Sequence, residues 1–211
     1  MNTVAALFLL APAFAAIIDR IAVSVGYQVI TLRDVEREIR VTAFVGGLKP
    51  DLSVSNKRAT ADRLVDQKLI RREMESSHFP APAPSDVAPS LEKLKATFSS
   101  DPDYRRALAQ YGIGETDVQD LLLRMWMIEQ FTSLRFRPAV QVTDAEIQDY
   151  FDKVVAPAAR AAHPGQPVEL SDYRAQIEEK LSGERADRDL DNWLQEARRR
   201  TEIVFHPEAF Q

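Results

Sequence analysis

The sequence predicts a mainly α fold, a multi-helix domain closed by a small antiparallel β-sheet. Three observations carry this. An alternating apolar run with a Gly-first turn stands near the start, in "IDRIAVSVGYQVIT". Stretches with apolar residues at helical spacing then fill most of the chain. The last segment, "TEIVFHP", alternates again and supplies the extra strand that a lone hairpin needs in water.

The elements follow in order. Ile21, Val23 and Val25 alternate with Ala22 and Ser24, Gly26-Tyr27 forms a two-residue turn, and Val29-Ile30 returns, so residues 18–31 read as a hairpin with one apolar face. Thr31 and Asp34 form a capping box that opens a helix carrying Leu32, Val35 and Ile39, and Gly46-Gly47 stops it. A second helix spans residues 55–77 with Ala61, Leu64, Val65, Leu69 and Met74 on its inner side. "FPAPAPS" is a stiff extended break. A third helix begins near Ser85 and carries Val87, Leu91, Leu94 and Phe98. A fourth takes Asp101 as N-cap, Pro102 at its first position and Gly112 as its stop. After Pro138, Thr143 and Glu146 form a full capping box before Ile147, Tyr150, Phe151 and Val154. A long helix follows with Tyr173, Ile177, Leu181, Leu190, Trp193, Leu194 and Ala197, and residues 201–206 form the closing strand.

The fifth helix, residues 116–135, is apolar on two sides. Val118, Leu121, Leu122 and Met125 read as its core face. Leu123, Met127, Phe131 and Leu134 lie opposite. Such a helix is either central in a core or keeps a second face for a partner, and the pattern leaves both open. The cluster "LLLRMWMIEQF" adds adaptable methionines of the kind found on permissive binding surfaces. The candidate contact residues are Met127, Phe131, Leu134, Trp126 and Phe44.

Composition narrows the function classes. The 211 residues carry a net charge of −5, a poor match to nucleic acid, whose binding needs a basic footprint. "RRR" at Arg198, Arg199 and Arg200 suits a helix C-terminus. The chain has no cysteine, which removes thiol nucleophiles, zinc–thiolate sites and disulfides. No phosphate-binding glycine loop, H-E-x-x-H or G-x-S-x-G occurs. His78, His163 and His206 lie beside prolines near segment ends and read as exposed loop residues. The carboxylates interleave with Arg and Lys at helical spacing and read as a solvated face. No catalytic residue, metal site or cofactor is expected.

The first residues bear on compartment. "MNTVAALFLLAPAFAA" has an apolar run too short to span a bilayer, followed by an A-x-A site, without a Lys or Arg before it. This predicts a cleavable signal peptide over residues 1–15, a mature chain from Ala16, and no stable membrane insertion.

The order of parts resembles the SurA family of periplasmic chaperones and parvulin-type isomerases, and more loosely trigger factor and PpiD. The residues that carry this are Asp19, Ile21, Val23 and Val25, then Ile30, Thr31 and Asp34; "LVDQKLI"; "VTDAEIQDYF"; and "WLQEAR" with its following strand. The resemblance implies a SurA-like or trigger-factor-like chaperone fold. In that family, parvulin domains are inserted after the "VTDAEIQDYF" helix. Here that position holds only "VVAPAARAAHPGQPVEL", too short for a catalytic domain. The organisation expected is a helical chaperone domain over residues 16–153, a linker over 154–170, and a helix and strand over 171–211 that complete the same domain. The resemblance implies ATP-independent binding of unfolded outer-membrane or exported polypeptides in an apolar cleft, without isomerase activity. The alternatives are a helical adaptor that pairs with one partner or with itself, for instance as a homodimer by segment exchange, and, with less support, a prolyl isomerase.

Overall fold

The computed structural model describes residues 19–211, so the expected signal peptide and Ile18 lie outside the described residues. Strands β1 (Ile21–Val25) and β2 (Gln28–Thr31) form the hairpin, and β3 (Ile203–Phe205) pairs with β1 on its other side. The sheet is antiparallel throughout, in the order β2-β1-β3. Gly26 takes φ +56 at the first turn position, which glycine reaches without Cβ strain.

One feature of the hairpin departs from simple alternation. The register passes from Ile21↔Thr31 to Val23↔Ile30, so Ala22 is an extra residue in β1. This bulge turns Ala22 and Val23 both into the core and moves Ile21 to the outer face, where it is exposed. The expected single apolar face of Ile21, Val23 and Val25 is therefore split.

Helices α1 (Leu32–Val45), α2 (Val54–Ser76), α3 (Pro84–Lys95), α4 (Asp101–Tyr111) and α5 (Glu115–Arg135) follow. The Thr31 and Asp34 side chains cap α1 reciprocally. The cap of α4 is Ser100, one residue earlier than expected: its hydroxyl accepts from the Asp103 amide, and Pro102 falls in the first turn. Gly112 ends α4 at φ +66. A 3-10 turn over Arg137–Ala139 leads to α6 (Asp144–Tyr150), capped by the Thr143–Glu146 box. A π-turn over Phe151–Val155 then runs into α7 (Ala156–Ala162). Helix α8 (Leu170–Arg199) returns to β3, and a 3-10 turn over Pro207–Phe210 closes the chain.

Four apolar clusters hold these parts. The first lies under the sheet, where Val23, Ile30, Val35 and Val65 meet Phe210 and the Trp193 end of α8. The second joins α1, α3, α4 and α5 through Phe44, Leu91, Tyr104, Val118 and Leu121. The third joins α2, α5 and α8 through Ile70, Met74, Met127 and Phe131. The fourth is built from α6, the π-turn, α7 and the first half of α8, through Ile147, Phe151, Ala156 and Ile177.

The fourth cluster corrects the expected linker. Residues 154–162 are helical, Ala156 is fully buried, and Val155 and Val168 pack against Ile177 and its neighbours. A boundary at 153/154 would cut this unit. Pro157 lies where the π-turn runs into α7.

The arginine cluster also does more than suit a helix end. Arg198 donates from Nε to Asp66 Oδ1 at 2.7 Å and from Nη1 to Asp62 Oδ1 at 2.8 Å, so it clamps α8 to α2. The Asp66 and Asp62 carboxylates hold its guanidinium firmly in the charged form.

Candidate functional site

Three helices line one cleft. Helix α1 contributes Asp34, Arg37, Glu38 and Val41; α2 contributes Leu64, Gln67, Lys68 and Arg71; α5 contributes Asp117, Asp120, Arg124 and Met127. Each set is a stripe at three- and four-residue spacing, the side of a helix that faces one neighbour. This part of the cleft has a volume of about 240 Å³. It adjoins a second part of about 530 Å³, with Arg71, Asp120, Arg124 and Met127 common to both. The second part adds Met74, Leu123 and the extended segment from Phe79 to Pro82.

The floor is apolar and the walls carry charges of both signs. Ile30, Val41, Leu64, Met74, Leu123 and Met127 supply apolar surface. Arg124 Nη2 meets Glu38 Oε2 at 2.5 Å, and the Glu38 side chain is only 8% exposed. Arg37 Nε lies 3.4 Å from Asp117 Oδ1. Burial lowers the Lys68 ammonium below its usual range, with nearby Asp34 opposing the shift. Two polar atoms of cleft residues, Gln67 Oε1 and Arg124 Nε, are buried without a hydrogen-bond partner among the described residues. Each such orphan costs free energy that a new partner relieves.

The five candidate contact residues are not brought together. Met127 reaches the cleft floor although it is buried. Phe131 is enclosed, with ring centroids 5.1 Å from Trp193, 5.7 Å from Phe136 and 6.0 Å from Phe79. Phe44 is buried in the second cluster, stacked 5.7 Å from Phe98. Leu134 is exposed, Trp126 is half-buried, and neither lines the cleft. The expected core face of α5 also changes: Val118 and Leu121 are buried, but Met125 is 55% exposed. The helix meets α1 and α3 with one side of its N-terminal half, and α2 and α8 with another side of its C-terminal half. A single stripe cannot satisfy both.

Sequence reading missed Gln67, Lys68, Arg71 and Arg124. Their signal was a polar residue recurring on the inner stripe of a helix, but a solvated face shows the same periodicity. The histidines remain apart: His78 sits in a left-handed turn, His163 ends α7, and His206 Nε2 lies 3.1 Å from Ser24 Oγ. Among the described residues no three His, Asp or Glu side chains gather as a metal site, and no helix is long and apolar enough to cross a membrane.

No protein-family model and no curated protein sequence matches this chain.

Proposed function

We propose that this chain is an ATP-independent chaperone that holds unfolded polypeptides in the α1/α2/α5 cleft, without a catalytic step. The observation that carries this reading is the cleft itself. It is two adjoining hollows with an apolar floor, lined by Asp34, Glu38, Glu75, Asp117 and Asp120 and by Arg37, Lys68, Arg71 and Arg124. An apolar floor takes nonpolar side chains of many shapes, and methionines at Met74 and Met127 adapt to them. Charges of both signs on the walls select no strongly charged ligand.

From the resemblance of "VTDAEIQDYF" and the terminal segments to the SurA family we infer that this activity belongs to the periplasm, after export by the 1–15 leader, with outer-membrane polypeptides as clients. Residues 154–170, with α7, stand where the resemblance implies that family's isomerase is inserted. An adaptor that pairs with one partner is the competing reading, and the exposed outer face of the sheet favours it. Dilution of an unfolded outer-membrane β-barrel protein separates the two. A chaperone suppresses its light scattering at near-stoichiometric amounts with or without ATP, and an adaptor leaves it unchanged.

A further inference from the structure

The sheet concentrates exposed apolar residues on one side. The register aligns Val29, Ser24 and Val204 in a row across β2, β1 and β3. Val29 is 44% and Val204 42% exposed, and Ile21, displaced by the bulge, lies on the same face. The row ends at β3, whose far edge carries no strand among the described residues.

The hydrogen bonds define what that edge offers. Gly26 N donates to Glu202 O at 2.8 Å, and His206 N donates to Ala22 O at 2.9 Å. Ser24 stands opposite Val204 between them. Main-chain groups alternate in direction along an antiparallel strand, so Glu202, Val204 and His206 face β1, while Ile203 and Phe205 turn their N–H and C=O groups outward.

The geometry points to a second copy of this chain as the occupant of that edge: two β3 strands pair antiparallel about a twofold axis at Val204. In this register Ile203 of each copy stands opposite Phe205 of the other, so all outward main-chain groups are satisfied. The sequence "EIVFH" is self-complementary about its centre. Glu202 of one copy falls opposite His206 of the other, Val204 meets Val204, and Ile203 packs beside Phe205. The exposed row then continues across both copies, in a single six-stranded sheet. The contact is isologous, so it closes as a dimer and uses up the edge that would otherwise invite open-ended pairing. A three-residue edge is a small interface of the weak, reversible class.

The test is sedimentation equilibrium of the mature chain from Ala16, which holds every described residue, over roughly 10 µM to 1 mM, where weak interfaces associate. The average mass rises from monomer towards dimer. Val204→Lys, an exposed site that tolerates the change, places two ammonium groups on the axis and weakens association at least tenfold, while Val204→Thr retains it. Phe205→Pro removes one outward donor and leaves the bonds to β1 intact, with the same loss. Circular dichroism confirms that each variant is folded. A monomer at every concentration overturns the proposal. So does a dimer that Val204→Lys leaves unchanged, which is the behaviour of a segment-exchanged dimer.

Discussion

Arg124 of α5 and Glu38 of α1 meet at 2.5 Å across the cleft, and the carboxylate is almost wholly buried. Both residues line the first hollow and Arg124 also lines the second, so the pair ties α1 to α5 in the wall of the cleft. Removing one partner leaves a buried charge without compensation. Arg124→Ala is expected to destabilise the fold by about 3 kcal/mol. Replacing both residues by leucine costs much less, since no charge is then stranded. Urea unfolding of the single and double variants checks the order.

The third cluster and the exposed flank of α5 respond differently to truncation. Phe131→Ala removes a ring enclosed by Phe79, Phe136 and Trp193 and costs about 3–5 kcal/mol. Leu134→Ala, at an exposed position three residues on, stays within about 0.5 kcal/mol. Thermal unfolding of both variants measures the difference.

The boundary between legible and illegible features follows from this contrast. The hairpin, both capping boxes and the closing strand rest on local chemistry: a Gly-first turn, a threonine with an acid three residues on, and alternation at residues 203–205. The two faces of α5 do not. Phe131 and Leu134 look alike in sequence, and the convergence of Phe79, Phe136 and Trp193 of α8 buries the first. The cleft walls were hidden for a similar reason. Arg124 and Lys68 show the spacing of a solvated face until α1, α2 and α5 converge. In residues 154–162, Pro157 and the alanines conceal a helix anchored by Ala156 and Val155.

Lys68 gives a prediction with a definite sign. Burial lowers its pKa in the folded state, so folding disfavours the charged form and stability gains as pH rises through the folded-state value. Lys68→Met is expected to raise the melting temperature at neutral pH and to remove this alkaline gain. It also extends the apolar floor, so client binding is retained. Calorimetry between neutral and alkaline pH tests the first part, and the scattering assay tests the second.

The fourth cluster has its own pH response. The backbone amide and hydroxyl of Thr143 hold the Glu146 carboxyl below its ordinary value of 4.5, with Arg185 adding to the effect. A lowered carboxyl contributes stability that is complete above the ordinary value and is lost as pH falls below it. The start of α6 therefore loosens in acid. Hydrogen exchange at the Glu146 and Ile147 amides is expected to accelerate as pH drops through this range, beyond the intrinsic pH trend. Glu146→Gln is expected to abolish the extra acceleration.

The most direct measurement of the central claim is photo-crosslinking from within the cleft. A photoreactive phenylalanine at position 123 faces the larger hollow, and one at position 125 sits on an exposed part of the same helix outside it. With an unfolded outer-membrane protein as client, strong crosslinks are expected from position 123, weak ones from 125, and no change on adding ATP. Equal labelling from both positions, or labelling from 125 alone, would contradict it and move client binding away from the cleft.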